Sequence, residues 1–189
     1  MDPTSTPSPK SPPDCQGWAA GWGFTPGGWF DNRRGEWWLL AQLVLITAHL
    51  LPPWPAPGSW GYAWPLPVAA TGALLFLVGL LLAGQALLRL GASLTPLPDP
   101  MPGAALVTSG AYRRCRHPLY QAVLLCSLGV SLALGSLLHL ALLLALAGVL
   151  GGKARREERQ LLALHPGYAT YRTTTPAIVP ALPWLDWRG

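Results

Sequence analysis

The feature that most limits the fold is a long stretch without charge. Residues 118 to 152 include no Lys, Arg, Asp or Glu. A single helix over this stretch would be about 50 Å long, well beyond the hydrocarbon core of a bilayer, which is roughly 30 Å thick. The stretch therefore predicts two helices folded back on each other, each slightly short for a full span, with the turn at Gly135 and Ser136.

Two further apolar segments precede this hairpin, at residues 37–51 and 66–88. Only 11% of the residues are charged and 51% are hydrophobic, whereas an ordinary soluble domain has roughly 25% charged residues. The sequence therefore predicts an all-α integral membrane protein with about four transmembrane helices. The helix after the hairpin is expected to continue into water from residue 153 to residue 164, where Pro166 and Gly167 stop it.

The placement of positive charge predicts the orientation of these helices. The loops at 52–65 and 135–137 contain no Lys or Arg. With four spans, the positive-inside rule puts both termini in the cytoplasm, in the cell (inner) membrane. It also accounts for the basic balance, 13 Lys+Arg against 8 Asp+Glu, without a nucleic-acid partner. The residues expected on the cytoplasmic side are Arg33, Arg34, Arg89, Arg113, Arg114, Arg116, Lys153, Arg155 and Arg156.

Composition divides the chain into three parts. Residues 1–17 are rich in Pro and Ser and are predicted to form a disordered tail. Residues 18–36 are rich in Trp and Gly and are predicted to lie at the membrane interface, because Trp favours that depth. Residues 37–189 form the membrane domain.

The three cysteines do not indicate a metal site or a disulfide framework. Cys15, Cys115 and Cys126 form neither a CxxC pair nor a Cys/His ligand spacing. Cys115 lies among arginines, which could lower the pKa of its thiol. The sequence places no base partner beside it.

Polar residues on both sides of the predicted hairpin are the candidate site. A helical hairpin returns the chain to its starting side, so Arg116, His117 and Tyr120 should face Glu157 and Glu158 across a small cleft. The positive-inside rule accounts for Arg116. It does not account for Glu157 and Glu158, because acidic residues contribute little to the orientation of a membrane helix.

The alternative for the two glutamates is pairing on the helix surface. Lys153 precedes Glu157 by four residues, and Arg155 precedes Glu158 by three. Such pairs contribute only about 0.2–0.5 kcal/mol each.

The two segments around the hairpin resemble a known superfamily. GAYRRCRHPLY and EERQLLALHPGYATY are similar to the motifs of the integral-membrane isoprenylcysteine carboxyl methyltransferases and phospholipid methyltransferases. Those enzymes typically read G-x-Y-x-x-x-R-H-P-x-Y, then E-E-x-x-L, then G-x-x-Y-x-x-Y. The resemblance covers roughly half of the chain, and the matching residues are Arg116, His117, Pro118, Tyr120, Glu157, Glu158, Leu161, Tyr168 and Tyr171.

The resemblance implies a methyltransferase domain at 37–189 that uses S-adenosylmethionine and binds it within residues 90–176. A glutamate would hold the ammonium group of the cofactor, and of the two glutamates Glu158 is preferred. The cofactor-binding residues that the resemblance implies are His117, Leu119, Tyr120, Glu157, Glu158, Leu161, Tyr168 and Tyr171. The candidate catalytic residues are Arg116, His117, Tyr120 and Arg172.

The expected acceptor is a small lipophilic or lipid-linked molecule with a carboxylate, thiol or amine, reached from the membrane lipids. Carboxyl methyltransferases of prenylated cysteine have an arginine where this chain has Thr174, which puts a prenylcysteine substrate in doubt. Arg172 could replace that arginine from one turn away.

Two other functions remain as alternatives. The first is an NAD(P)H-dependent membrane reductase of the sterol-reductase type, whose K-Y-G-x-x-W-x-x-Y run is replaced here by P-G-Y-A-T-Y. The second is a non-catalytic membrane scaffold.

Overall fold

The uncharged stretch forms the predicted hairpin. In the computed structural model its first helix ends at Leu134 and its second begins at Leu137. Gly135 adopts a left-handed conformation, with φ at 58°, which glycine accepts without a steric penalty. Ser136 caps the second helix, because its Oγ accepts a hydrogen bond from the backbone N–H of His139. The turn at Gly135 and Ser136 is therefore confirmed.

The structure describes residues 30–100, 103–179 and 185–187. These residues form five α-helices with short 3-10 turns between them and no strand, which confirms the all-helical prediction for this part of the chain. The predicted tail and residues 18–29 of the predicted interfacial segment lie outside the described residues. The helices are α1 (Glu36–Ala48), α2 (Leu66–Leu90), α3 (Pro118–Leu134), α4 (Leu137–Leu164) and α5 (Tyr168–Thr174).

Two of these helices, α2 and α4, are long and apolar enough to cross a membrane by length and composition. Helices α1 and α3 are apolar but shorter. The first helix ends at Ala48, earlier than the predicted residue 51, because the chain turns at His49 ahead of Pro52 and Pro53. In contrast, α4 continues without a break through its charged part to Leu164, as predicted.

Helices α2 and α3 pack closely through small residues. A Cβ atom added to Gly72 would lie 2.5 Å from the carbonyl oxygen of Gly129, and one added to Gly129 would lie 2.6 Å from that of Gly72. Glycine at both positions lets the two backbones approach, which is typical of membrane helix pairs.

The C-terminal segment returns to the start of α3. The backbone N–H of Arg116 donates to Pro176 O at 2.9 Å, and that of His117 donates to Ala177 O at 3.0 Å. Ile178 and Trp187 join the buried cluster formed by α3 and α4. This packing holds the residues that follow α5 against the start of α3.

The loop between α2 and α3 lies against the charged part of α4. Arg156 forms a bidentate ion pair with Asp99, with Nε–Oδ1 and Nη2–Oδ2 distances of 2.8 and 3.1 Å. This ion pair, together with the hydrogen bond from Lys153 Nζ to Pro96 O, holds the loop against α4.

Candidate functional site

The start of α3 positions the Arg-His-Pro sequence. Pro118 is the first residue of the helix, where its missing N–H removes no helical hydrogen bond. His117 precedes it in a non-helical conformation. The side chains of Arg116 and His117 are both buried, and they point toward the charged part of α4, where they contact Glu158.

Arg116 connects four parts of the chain. Its Nε donates to Glu158 Oε1 at 2.8 Å. Its Nη1 donates to the carbonyl oxygens of Arg172, at 3.1 Å, and of Thr175. Its Nη2 donates to Asp186 O at 3.0 Å. Most of its donors are therefore satisfied within the protein, so the guanidinium holds the C-terminal segment in place.

Glu158 is surrounded by cationic and polar groups of the protein. Besides the bond from Arg116, its Oε1 lies 2.9 Å from His117 Nε2, and its Oε2 lies 3.0 Å from Arg172 Nε. The residue is 2% exposed. It lines a second cavity, of about 330 Å³, with Arg172 and Trp187, but not the slightly larger cavity beside His117. The geometry therefore does not favour Glu158 over Glu157 as the ligand-binding glutamate.

Glu157 has a different environment, although it is the next residue on the same helix. Its Oε2 accepts a hydrogen bond from the Tyr120 hydroxyl at 2.7 Å and lies 3.8 Å from His117 Nδ1. The His117 and Tyr120 rings stack with centroids 5.1 Å apart and planes within 3° of parallel. The Glu157 side chain is 29% exposed and borders the larger cavity. It therefore remains accessible to a ligand.

The larger cavity has a volume of about 360 Å³, which lies within the usual range for small-molecule sites, roughly 300–1,000 Å³. It is bordered by helices α1 to α5 and by the loop that follows α2. Arg172 and Glu158 are absent from its lining. The residues singled out in the sequence that do line it are Arg116, His117, Leu119, Tyr120, Glu157, Leu161, Tyr168 and Tyr171.

Tyrosines form one side of this cavity. Tyr171 donates a hydrogen bond from its hydroxyl to the carbonyl oxygen of Tyr112 at 2.5 Å. Burial raises the pKa of Tyr112, Tyr168 and Tyr171 above the ordinary value for tyrosine, so these phenols stay protonated at neutral pH. Tyr112 was not selected from the sequence, although it occupies the tyrosine position of the G-x-Y motif.

Two further cavity residues, Lys153 and Gln42, were missed as site residues. Lys153 is buried, and its Nζ donates to Gln42 Oε1 at 2.7 Å and to Pro96 O at 2.8 Å. The surface ion pair between Lys153 and Glu157 is therefore not the arrangement found. The useful signal in the sequence was the four-residue spacing, which places Lys153 and Glu157 on the same face of α4.

Cys115 is enclosed beside the site, with 2% exposure. Burial raises the pKa of its thiol to about 11, although the backbone N–H of His117 and the charge of Arg116 act in the opposite direction. The thiol is therefore protonated at neutral pH. Within the part of the chain that the structure describes, no cluster of three or more His, Cys, Asp or Glu residues could hold a metal ion.

Two comparisons with known proteins match parts of this chain. The family described as phospholipid methyltransferase matches residues 68–164, just over half of the chain. The cobalt-zinc-cadmium resistance protein CzcN of Cupriavidus metallidurans is 44% identical over 82 residues. That alignment covers 41% of this chain and 36% of the relative, so the chain matches about a third of the relative's length. From the match across α2, α3 and α4, the chain belongs to the phospholipid methyltransferase family, a family of membrane-associated methyltransferases.

Proposed function

We propose that this protein transfers a methyl group from S-adenosylmethionine to a lipophilic or lipid-linked acceptor at the membrane. The observation that carries the proposal is the position of Glu157. Its carboxylate is accessible from a cavity of about 360 Å³, beside the stacked rings of His117 and Tyr120.

The residues of the cavity fit the cofactor. S-adenosylmethionine carries an ammonium group and a sulfonium group, and a carboxylate with an unoccupied oxygen is a good partner for a cation. Tyr120 donates to Glu157 Oε2, so it orients the carboxylate and leaves Oε1 for a ligand. Leu119 and Leu161 add apolar surface near this carboxylate. Glu157, rather than Glu158, is therefore the glutamate we assign to the ammonium group.

The cofactor, when bound, supplies an electrophilic methyl carbon attached to a positively charged sulfur. It would supply this methyl group to the lone pair of the acceptor, with S-adenosylhomocysteine as the product that leaves. The protein would contribute mainly by aligning the reactants and excluding water, which can lower a barrier by about 7–11 kcal/mol at the extreme. A cavity between helices that is lined mainly by apolar side chains suits both tasks.

His117 is the residue placed to accept a proton when the acceptor is an amine. Its two ring nitrogens lie 2.9 Å from Glu158 Oε1 and 3.8 Å from Glu157 Oε2, so the two carboxylates orient the ring beside the cavity. A carboxylate or thiolate acceptor needs no base. Arg116 and Arg172 act in this scheme as positioning residues, because they hold Glu158 and the C-terminal segment.

Binding of S-adenosylhomocysteine to the purified protein tests the proposal. We expect calorimetric titration to show binding to the wild type and a loss of affinity of about tenfold or more in Glu157→Gln, because a charge-assisted hydrogen bond is removed. Glu157→Asp is the matched control that keeps the charge. Binding of NADPH alone would favour a reductase, and binding of neither compound by folded protein would favour a scaffold.

The proposed location follows from the same arrangement. With α1 to α4 crossing the membrane, the cavity and both termini would face the cytoplasm of the cell (inner) membrane, because Lys153, Arg155 and Arg156 lie at that end of α4. Single cysteines placed at Ser59 and at Arg159 would test this topology. In intact cells, a membrane-impermeant maleimide should label the first and not the second.

A further inference from the structure

Lys153 is a buried cation whose hydrogen-bond partners are neutral. It is 3% exposed, and its two contacts are the side-chain oxygen of Gln42 and the backbone oxygen of Pro96. No carboxylate among the described residues forms an ion pair with its Nζ within 4.0 Å, although the negative charge of Glu157 on the next turn of α4 also acts on it. An ammonium group has three donors, and removing it from water costs several kcal/mol unless an opposite charge compensates.

The surroundings of Lys153 combine this charge with apolar surface. Its Nζ lies 5.4 Å from the centre of the Tyr120 ring. Leu39 of α1, Leu87 of α2 and Val123 of α3 line the same cavity. The cavity that Lys153 lines therefore also has hydrocarbon side chains from three helices on its walls.

Lys153 and Glu157 lie on the same face of α4, one turn apart, which corresponds to about 6 Å along the helix axis. Lys153 is the nearer of the two to the uncharged part of α4. The cavity therefore offers a carboxylate near the charged end of the helix and an ammonium group closer to the membrane. This face of α4 therefore presents two groups of opposite charge to the cavity.

We propose that Lys153 binds the anionic group of an amphiphilic methyl acceptor, a carboxylate or a phosphate, whose hydrocarbon part lies against α1 and α2. This inference rests on the proposed function, which assigns Glu157 to the cofactor. Gln42 holds the ammonium group in position, and it lies outside the 68–164 family match. The acceptor site thus includes a helix that the family match does not cover.

S-adenosylmethionine also has a carboxylate, which could bind Lys153 in place of the anionic group of the acceptor. The experiment therefore measures binding of the cofactor product and of an anionic acceptor analogue separately. The protein is placed in nanodiscs, and S-adenosylhomocysteine is titrated first. Octanoate, octyl phosphate and uncharged octanol are then titrated into the saturated protein. The three probes share one chain length and differ in the head group.

We expect the wild type to bind octanoate or octyl phosphate at least about tenfold more tightly than octanol, because a hydrogen-bonded charge pair forms. Lys153→Met should abolish this preference and leave affinity for S-adenosylhomocysteine within about twofold of the wild type. Lys153→Arg keeps the charge and should retain the preference. Gln42→Glu supplies an internal carboxylate to Lys153 and should also weaken binding of the anions.

Equal binding of octanoate, octyl phosphate and octanol by the wild type would overturn the inference. A large loss of S-adenosylhomocysteine binding in Lys153→Met would overturn it too, since Lys153 would then hold the cofactor. If the wild type bound the anions through Lys153 but did not bind S-adenosylhomocysteine, the anion site would stand and the methyltransferase proposal would fail.

Discussion

Two clusters of buried and half-buried polar side chains lie at opposite ends of α4. The far-end cluster consists of His49, Ser127, Ser136 and His139, and the site cluster consists of Arg116, His117, Glu157 and Glu158. His139 and Glu158 are nineteen positions apart on one helix, which is about 28 Å along its axis. Both clusters bury a histidine among polar partners.

The far-end cluster satisfies its own hydrogen bonds. His49 Nδ1 lies 2.8 Å from Leu45 O, and its Nε2 lies 2.5 Å from Ser127 Oγ. His139 Nδ1 lies 2.8 Å from Ser136 Oγ, and its Nε2 lies 3.3 Å from His49 O. None of its four members lines the larger cavity. This cluster joins α1, α3 and α4 and has no ring nitrogen left for a ligand.

The site cluster keeps charge available at the cavity. Arg116 and Glu158 are bonded within the protein, but Glu157 has one engaged oxygen and borders the cavity. The comparison shows that a buried histidine is by itself a poor indicator of function. What distinguishes the proposed site from the far-end cluster is a charged group, Glu157, that the protein orients without fully neutralising it.

The largest effect should come from Arg116. Arg116→Met removes the guanidinium that pairs with Glu158. It also removes the hydrogen bonds that this group donates to the carbonyl oxygens of residues 172, 175 and 186. Breaking a buried charge pair in this way costs about 3–5 kcal/mol of the free energy of unfolding. Thermal unfolding in detergent measures it, and an unchanged melting temperature would contradict the structural role.

Substituting the adjacent glutamates should separate stability from binding. Glu158→Gln removes the buried negative charge that pairs with Arg116 and His117. It should lower the free energy of unfolding by about 1–3 kcal/mol. Glu157→Gln should change stability by less than about 0.5 kcal/mol, since this side chain is partly exposed. Affinity for S-adenosylhomocysteine should fall more in Glu157→Gln. The reverse order would show that Glu158 is the ligand-binding residue.

A change in the far-end cluster should affect stability alone. Ser136→Ala removes the cap of α4 and the hydrogen bond that Ser136 Oγ accepts from the Trp54 N–H, at 3.0 Å. The expected loss is about 1–2 kcal/mol. Binding of S-adenosylhomocysteine, measured by calorimetry on the folded variant, should remain within about twofold. A larger change in binding would mean that the two clusters are coupled.

The smallest effect concerns Cys115, next to the site cluster. Burial raises the pKa of its thiol to about 11. Because the thiolate is the reactive form, labelling by iodoacetamide at about pH 8 should be much slower in folded protein than in unfolded protein. The labelling rate should rise only as the pH approaches the pKa. Mass spectrometry of the peptide that contains Cys115 measures the rate, and fast labelling of folded protein would show that water reaches this side of the cluster.

Several parts of the fold could be predicted from local patterns. The turn at Gly135 and Ser136 followed from comparing the length of the uncharged stretch with the thickness of a bilayer. The proximity of His117 to the glutamates followed from the hairpin, since the chain must return to the side from which it started. The end of α1 was placed three residues late, because the apolar pattern continues past Ala48 while the backbone already turns ahead of the prolines.

The amino-acid sequence by itself determined the helical hairpin, the apolar character of the helices and the residue types available at the site. Only the tertiary structure decided that Glu157, and not Glu158, lines the cavity beside His117 and Tyr120. Neighbouring helix residues point about 100° apart, so the roles of Glu157 and Glu158 depend on how α4 is rotated. That rotation is set by contacts distant in sequence: Arg116 with Glu158, Gln42 with Lys153, and Asp99 with Arg156.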